Sequence, residues 1–260
     1  MEHYTDRQRE RQIELLKYKK ARRKKKAKAV FTIFVSLLLS VGIVVTLFFA
    51  PVFNVVEIYA VGNDRIAEDY IIAAANVRLG DNVFATSVQR IISNVSAIPY
   101  VREANARRIF PNRIRVWVSE AEPQANIAVD EFFAAIDERG MVLEILQHPY
   151  DVPIIRGLNV DRLVPGERPV AYNSANFMVG LSLLSEIIAN DLINNIVSID
   201  VANLTQISMN FENRINVIIG DANNLDYRIM FFAHIMSTIL PHEQGIIDMS
   251  LENPYFRRTN

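Results

Sequence analysis

The chain has 260 residues, a formal net charge of −1 and no cysteine, which excludes disulfide bonds, thiolate catalysis and thiolate-ligated zinc. The net charge averages two unlike parts, because residues 1–28 hold 12 of the 28 Lys and Arg but 4 of the 29 Asp and Glu, leaving −9 for the remainder. This remainder contains no lysine, and such an acidic surface is a poor non-specific ligand for nucleic acid, whose backbone is bound through cations.

Residues 30–50 form an uncharged apolar run, VFTIFVSLLLSVGIVVTLFFA. A helix needs about 20 such residues to cross the hydrocarbon core of a bilayer, so the run predicts a transmembrane helix. A cleavable signal peptide has a shorter apolar core that ends in small residues, whereas Phe48 and Phe49 precede Ala50 here. We therefore expect that this transmembrane helix is not removed by signal-peptide cleavage. The alternative, a buried core helix, would ordinarily carry a polar stripe or an internal charge.

The N-terminal flank of the apolar run is strongly basic, whereas the first cation after the run is Arg65. Because Lys and Arg beside a span stay on the cytoplasmic side, we expect a cytoplasmic N-terminus, with all residues after about 50 outside the cell membrane. The basic segment could also bind anionic lipid or nucleic acid, and we favour topology and lipid contact. The membrane-proximal basic residues are Arg22, Arg23, Lys24, Lys25, Lys26 and Lys28.

The segment after the apolar run predicts a small module in the order strand, helix, helix, strand, strand. Its second helix has one apolar face, formed by Val88, Ile91, Ile92 and Val95. In the last strand, Ile114, Val116 and Val118 alternate with Arg113, Arg115, Trp117 and Ser119. The predicted elements are a strand at residues 52–61, a helix from Glu68 to the Gly80 turn, a helix with a Thr86/Gln89 capping box, and strands at Val101–Ile109 and Arg113–Glu120.

The second half of the outer part predicts a larger mixed domain. An apolar hairpin is expected at residues 132–143, with a turn in which Gly140 can take a left-handed conformation. Two amphipathic helices follow, one containing Phe177 and Leu184 and the other ending before Pro241. The remaining predicted strands lie at residues 196–201, 204–211, 214–219 and 245–251.

Several short motifs occur in a fixed order along this chain. They are VVEIYAVGN from Val55, G-x-N-V-F at residues 80–84, IPYV at 98–101, FPNRIRV at 110–116, E-x-x-P-x-A from Glu120, I-D-x-x-G-x-V-L from Ile136, and P-x-I-x-G from Pro153. In this order, directly after a span, they resemble the POTRA module and following domain of the FtsQ/DivIB cell-division proteins. One departure is Ala67, where the family often has a Ser or Thr helix cap, a loss of about 1 kcal/mol for that helix.

The resemblance implies an α+β fold class. We expect a single N-terminal transmembrane helix, then a POTRA domain (β-α-α-β-β) and a second mixed α/β domain built on an extended β-sheet. No repeat and no β-barrel pattern follow, unlike the POTRA modules of outer-membrane assembly proteins. The expected boundaries are a basic cytoplasmic tail at 1–29, the transmembrane helix at 30–50, the POTRA domain at 51–121, the FtsQ/DivIB-type β domain at 122–253 and a C-terminal tail at 254–260.

The sequence contains little that indicates catalysis. His3, His148, His234 and His242 are scattered, and none has the spacing of a metal-binding pair. No nucleophile elbow, phosphate-binding glycine loop or Ser-x-x-Lys motif is present. We therefore expect no catalytic, cofactor-binding or metal site, although carboxylates brought together by folding stay open at this point.

The C-terminal strand is the first candidate binding surface. A terminal strand is often an edge strand, whose unpaired backbone groups can accept a strand from a partner. The other interpretation is an ordinary edge protected by charge and by Pro254. The family resemblance implies that this strand and the helix before it bind FtsL and FtsB/DivIC-type partners. The residues it assigns to binding are Ile246, Ile247, Asp248, Met249, Ser250 and Leu251.

A row of cations around one tryptophan is the second candidate surface. Arg and Trp are enriched where proteins meet, and the POTRA module of the family serves in recruitment to the division site. The alternative is a solvated sheet face on which Arg side chains cover the Trp. The residues are Arg102, Arg107, Arg108, Arg113, Arg115 and Trp117.

We therefore expect a scaffold of the bacterial division septum that gathers single-pass division proteins of the FtsL and FtsB/DivIC type and helps control septal peptidoglycan synthesis, with a septal wall synthase as a further partner. It would catalyse nothing and bind no nucleic acid. The alternatives are a membrane-anchored hydrolase acting outside the cytoplasm and a POTRA-type chaperone or translocation component. Turnover of wall fragments would favour the hydrolase, and co-isolation with coiled-coil division proteins would favour the scaffold.

Overall fold

The structure is a computed structural model that describes residues 26, 28, 30–46, 48–251 and 254–259. It is a mixed α+β protein with a small three-stranded sheet and a large nine-stranded sheet. Most of the predicted basic tail at 1–29 lies outside the described residues. Among the described residues, no helix has both the length and the apolar character that crossing a bilayer requires.

Contacts between residues divide the chain into two units that are not contiguous in sequence. The first unit contains Met1–Glu57, Arg78–Ser87 and Arg108–Ile114. The second contains Ile58–Val77, Val88–Arg107 and Arg115–Asn260.

In the first unit, residues 30–46 are helical and carry exposed apolar side chains. A 3-10 helix at Pro51–Phe53 follows, so the first strand begins later than the predicted residue 52. Proline at the start suits a helical turn, because its fixed φ is already helical and it has no N–H to satisfy. Backbone hydrogen bonds then fasten this segment to the 78–87 loop: Gly80 N–H donates to Val55 O, and Val83 N–H donates to Phe53 O, each at 2.8 Å.

The small module has the predicted order of strand, helix, helix, strand, strand, with its strands arranged β1-β3-β2. The predicted apolar face of the second helix packs inward, with Ile91 and Val95 fully buried. The capping box was predicted wrongly, because the Thr86 hydroxyl donates to Asn82 O at 3.1 Å and lies outside the helix. The elements are β1 (Glu57–Val61), α1 (Glu68–Ala75), α2 (Val88–Ser96), β2 (Val101–Ile109) and β3 (Arg113–Glu120).

Helix α1 ends earlier than the Gly80 turn that the sequence predicted. Asn76 takes a left-handed conformation, with φ of 51°, and its N–H donates to Ala73 O. Asn is one of the few residues with a side chain that adopts this conformation readily, and it commonly ends helices.

The large sheet has the strand order β14-β13-β12-β11-β10-β7-β4-β5-β6. The predicted hairpin is confirmed, with φ of 75° at Gly140 in its turn. The strands are β4 (Ala125–Val129), β5 (Phe132–Ile136), β6 (Val142–Leu146), β7 (Ile154–Arg156), β10 (Ile196–Asp200), β11 (Ile207–Phe211), β12 (Ile215–Gly220), β13 (Gly245–Asp248) and β14 (Tyr255–Arg258), with β8 (Val160–Arg162) and β9 (Val170–Ala171) paired separately.

Two helices, α3 (Ser174–Ala189) and α4 (Leu225–Met236), pack on the large sheet and form one core with it. Strand β11 and the first five residues of β12 alternate buried and more exposed residues, which is typical of a sheet covered on one face. The buried core of this region contains Phe177, Leu183, Leu184, Ile187, Ile199, Met209, Val217, Ile229, Phe232 and Ile247.

The C-terminal strand is not the edge that the sequence predicted. Strand β13 pairs in parallel with β12 and antiparallel with β14, so it is enclosed on both sides. The prediction was wrong because the chain reverses after Met249 and the last residues form a further strand, which the sequence interpretation treated as a tail at 254–260. Among the described residues, β14 is the outermost strand at this margin.

Gly157, which ends the P-x-I-x-G motif, provides a test of this packing. A Cβ at Gly157 would lie 2.3 Å from Ala202 N, whereas a Cβ at Gly166 would lie 3.3 Å from its nearest neighbour, Ala97 O. Both glycines have positive φ, 83° and 88°, so an alanine at either site costs about 1–2 kcal/mol of backbone strain. We expect Gly157→Ala to lose about 1–3 kcal/mol more than Gly166→Ala, because only Gly157 adds a backbone clash.

Urea unfolding of the full chain in detergent, followed by circular dichroism, measures both losses of stability. Equal losses for the two variants would contradict the close approach of Gly157 to Ala202.

Candidate protein-interaction surfaces

Strand β14 presents backbone hydrogen-bonding groups at the C-terminal margin of the large sheet. Thr259 N–H donates to Gln244 O at 3.0 Å, and β14 pairs with β13 antiparallel in the register Gly245↔Arg258. Successive residues of a strand alternate the direction of their backbone groups. The N–H and C=O groups of Arg257 therefore point toward β13, while those of Phe256 and Arg258 point outward. The margin is therefore a template onto which another strand can add.

The side chains of β14 fix it to the domain on one face and leave the other free. Phe256 is half-buried against the core, and its ring covers Gly245, where a Cβ would lie 2.5 Å from Phe256 Cε2. Arg258 forms an ion pair with Glu243. Tyr255, on the opposite face of the strand, is exposed, as is Leu251 just before it. Strand β14 is thus an integral part of the sheet that still offers apolar contacts.

The residues predicted to bind a partner fall into three groups. Ile247 and Met249 are buried in the core, so they support the margin and do not contact solvent. Ile246 and Asp248 are half-buried on the opposite face of β13. Ser250 and Leu251 are exposed beyond the strand, where the Ser250 hydroxyl donates to Asp248 Oδ1 at 2.6 Å.

Helix α4, which precedes β13, also has an exposed apolar face. Tyr227 and Met230 are more than half exposed, and the Tyr227 ring is stacked parallel to that of Phe231, with 6.0 Å between ring centroids. Exposed aromatic and Met side chains are common where proteins meet.

The second surface centres on Trp117, which is 44% exposed on β3. One hollow beside it, of about 380 Å³, is lined by Arg107, Arg115 and Trp117 together with Val61, Asn105 and Ala106. A larger one of about 700 Å³ has Trp117 at one side and acidic residues around it. Its charged lining residues are Asp64, Arg65, Glu120, Glu122 and Asp151.

The other predicted cations are engaged in local structure. Arg102 donates to Ser119 Oγ at 2.9 Å and lies 3.8 Å from Glu138. In the first unit, Arg108 donates to Val83 O and Thr86 O, each at 2.8 Å, and Arg113 pairs with Glu57 at 3.0 Å. The structure therefore brings together Arg107, Arg115 and Trp117, while Arg102, Arg108 and Arg113 serve other contacts.

Residues 53–121 match the sequence model of the POTRA domain of FtsQ type. The chain is 26% identical over 241 residues to the cell division protein DivIB of Clostridium botulinum, covering 90% of this chain and 93% of that protein. It is 30% identical over 197 residues to the cell division protein DivIB of Clostridium tetani, covering 74% of this chain and 73% of that protein. The chain belongs to the DivIB/FtsQ family of cell division proteins.

A cell division protein FtsQ from Syntrophotalea carbinolica is also similar, with 30% identity over 122 residues, or 46% of this chain and 43% of that protein. The family resemblance drawn from short motifs is thus confirmed. The three-stranded module is a POTRA domain of FtsQ type, and the protein acts in cell division.

Two family motifs have a direct physical explanation in this structure. The carboxylate of Glu120, which begins E-x-x-P-x-A, accepts hydrogen bonds from the N–H groups of Asp64, Arg65 and Ile66 at 2.8 to 3.0 Å. It thereby holds the β1–α1 turn on the end of β3. Asp137 of I-D-x-x-G-x-V-L is buried and accepts from the N–H groups of Arg139 and Met141, which shapes the hairpin turn.

A polar cluster joins the POTRA module to the large sheet within the second unit. Glu144 on β6 accepts hydrogen bonds from the hydroxyls of Tyr100 and Tyr150. The Arg65 guanidinium lies over both rings, 4.5 Å from the Tyr100 centroid and 5.8 Å from that of Tyr150. Each such cation–π contact contributes about 0.5–1 kcal/mol at an exposed site. This cluster positions the acidic hollow beside Trp117, to which Arg65 and Tyr150 also contribute.

The cluster shifts the titration of its members in opposite directions. Burial raises the pKa of Tyr100, and its hydrogen bond to Glu144 raises it further, so the hydroxyl stays protonated and continues to donate. Burial alone would raise the pKa of Glu144. The hydrogen bonds from Tyr100 and Tyr150 and the charge of Arg65 outweigh burial, and the pKa of Glu144 lies below its usual range.

Sequence reasoning missed β14 and the acidic hollow. The aromatic pair Tyr255 and Phe256 is a short β-prone signal that could have indicated a strand. The hollow had no local signal, because its residues come from separate segments of the chain. Among the described residues, no group of three or more His, Cys, Asp and Glu side chains could hold a metal ion.

We expect Glu144→Gln to destabilise the second unit by about 1 kcal/mol at neutral pH, because the variant loses charge-assisted hydrogen bonds at a partly exposed site. A lowered carboxyl pKa stabilises the fold above the ordinary pKa, and this stabilisation is lost as the pH falls through the lowered value. The difference in unfolding free energy between wild type and variant should therefore become smaller at acidic pH. Urea unfolding of the full chain at a series of pH values measures it.

Glu138→Gln is the matched control, since Glu138 is half exposed and its contact with Arg102 is 3.8 Å. A surface pair of this kind contributes little, so no measurable pH-dependent change is expected. A Glu144→Gln difference that grew on acidification would show that the carboxylate is not stabilised by the two hydroxyls.

Proposed function

We propose that this protein is a membrane-anchored scaffold of the bacterial division septum that binds other single-pass division proteins through strand addition at the C-terminal margin. The observation that carries the proposal is the outward direction of the backbone groups of Phe256 and Arg258 on the outermost described strand. Family membership indicates that the process is cell division, because the relatives are named as cell division proteins.

The anchor in this proposal is the apolar run at residues 30–50. Its charge-free sequence, the basic residues before it and the exposed apolar side chains of residues 30–46 support a span with the N-terminus in the cytoplasm. The residues after about 50 would then lie outside the membrane. Partners anchored in the same membrane are confined near the scaffold, which raises their effective concentration without any new contact.

The partners proposed are the FtsL and FtsB/DivIC-type division proteins, with a septal wall synthase as a further one. An added strand would gain main-chain hydrogen bonds from β14 and apolar contacts from Leu251 and Tyr255. The buried residues Ile247 and Met249 would act by holding the margin in place. Septal location and control of wall synthesis would follow from this gathering role, with no reaction at the protein itself.

Arg258→Pro tests the use of the outward backbone groups. Proline removes the Arg258 N–H, which faces away from β13, and leaves the β13–β14 pairing groups unchanged. We expect capture of the FtsB/DivIC-type partner by the full chain to weaken by about 1 kcal/mol, or roughly fivefold in Kd. The measurement is a binding titration between the purified full-length proteins in detergent.

Arg258→Ala is the control, because it loses the same ion pair with Glu243 but keeps the backbone N–H. Equal weakening in both variants would point to the side chain and against strand addition. Deletion of residues 254–260 should abolish capture. Stronger capture after the deletion would mean that β14 covers the binding strand β13, which would overturn the assignment of β14 as the template.

The face around Trp117 is proposed as a second contact, used in recruitment to the septum. Trp117, Arg107 and Arg115 line one hollow, and an exposed Trp beside Arg side chains is a typical interface anchor.

Replacement of Trp117 by alanine should reduce the septal fraction of a fluorescently tagged copy, with a binding loss on the order of 2 kcal/mol for an interface anchor. Phe132→Ala is the matched control, since Phe132 has similar exposure, 48% against 44%, on the hairpin of the large sheet. Equal septal fractions for the two variants, with both domains folded, would exclude Trp117 as a recruitment contact.

A further inference from the structure

The first unit contains a row of aromatic rings that starts at the end of the N-terminal helix. The Phe48 and Phe84 ring centroids are 3.9 Å apart, those of Phe53 and Phe84 are 5.1 Å apart, and those of Phe84 and Phe110 are 5.3 Å apart. The residues come from three separate segments: the helix end and the 3-10 turn, the 78–87 loop, and the tip of the β2–β3 hairpin. We call this set the basal aromatic row.

The two ends of the basal aromatic row are exposed, whereas large apolar side chains in a protein core are buried. Phe110 is 59% exposed and Phe48 is 45% exposed, and Leu79 in the same unit is 67% exposed. Large apolar side chains at this exposure lose the stabilisation that burial would give them. Several of them in one small unit indicate a surface that is covered by an apolar partner.

The row is fixed to the helix end by hydrogen bonds as well as by ring contacts. Asn82 Nδ2 donates to Phe48 O at 2.9 Å, and Val83 N–H donates to Phe53 O at 2.8 Å. Arg108 donates to Val83 O and to Thr86 O, which ties the hairpin to the same loop. The row is therefore joined to the end of the helix by both ring contacts and hydrogen bonds.

We propose that the basal aromatic row lies in the outer interfacial layer of the cell membrane, so that the hairpin tip and the 78–87 loop rest on the lipid surface. The inference depends on the proposed anchor at residues 30–50. Phe48 belongs to that run near its outer end, and Phe84 and Phe110 follow it with 3.9 and 5.3 Å between successive ring centroids. A row that runs along the membrane plane would therefore lie at the depth of Phe48. The interfacial layer on each side of the hydrocarbon core is about 5–7 Å thick, which accommodates such a row.

The chemistry of the surface fits lipid as the occupant. The rings of the row are all Phe, and Phe and Leu side chains form the apolar face of segments that lie in the membrane interface and bury that face at the boundary between headgroups and acyl chains. Arg78 is exposed next to Leu79, and a cation beside apolar side chains is suited to lipid phosphate. The surface is also continuous with a helix whose apolar side chains are exposed along residues 30–46 and require the same surroundings.

The absence of cysteine from the chain allows a direct measurement of depth. Single-cysteine variants of the full chain, labelled with a nitroxide, are reconstituted into vesicles of phosphatidylethanolamine and phosphatidylglycerol. Collision of the label with oxygen, which is concentrated in the bilayer, is compared with collision with a water-soluble nickel chelate. The test sites are Leu79→Cys and Phe110→Cys, the anchor site is Val41→Cys, and the solvent control is Glu131→Cys.

We expect the labels at 79 and 110 to shift from nickel toward oxygen relative to the label at 131, and the label at 41 to shift furthest. Labels at 79 and 110 that match the label at 131, while the label at 41 is immersed, would overturn this inference and leave the anchor intact. A label at 41 that matches the one at 131 would overturn the anchor and the inference together. Because Leu79 is more exposed than Phe110, its variant keeps the packing of the row and serves as the second test if Phe110→Cys fails to fold.

Discussion

The proposed function depends on one constraint of β-sheets, that the outermost strand of an open sheet cannot pair all of its backbone groups within the sheet. Strand β14 occupies that position at the C-terminal margin, where alternate residues, Phe256 and Arg258, direct N–H and C=O groups outward. An unpaired backbone group is hydrated when exposed and costly when buried, so the margin is stable in water and gains from an added strand. The core beneath it, with Ile247 fully buried, holds the template rigid.

Elsewhere in the second unit, carboxylate groups hold backbone and side-chain groups in position. Glu120 holds a turn of the POTRA domain through three backbone N–H groups, and Glu144 receives two tyrosine hydroxyls. These two carboxylates hold a turn and two tyrosine side chains in place. They position the surface around Trp117, and the family motifs that contain or flank them are explained by packing and turn formation.

In the proposed scaffold, the two surfaces and the basal aromatic row would have separate roles in different parts of the chain. The C-terminal margin offers main-chain pairing, which is tolerant of sequence, while an exposed Trp between cations and carboxylates offers side-chain selectivity. The basal aromatic row would set the height of the POTRA domain above the bilayer. Confinement of scaffold and partners to one membrane would then turn modest pairwise affinities into stable assembly.

The sequence by itself determined the features that depend on local pattern. We predicted correctly the family, the hairpin turn at Gly140 and the strands Val101–Ile109 and Arg113–Glu120. Each of these depends on residues that are close together in the sequence. Only the tertiary structure decided which strand lies at the margin. Ile247 and Tyr255 belong to equally short β-prone segments, so local sequence does not distinguish them. Strand pairing between distant residues places the strand of Ile247 between two neighbours and leaves the strand of Tyr255 outermost.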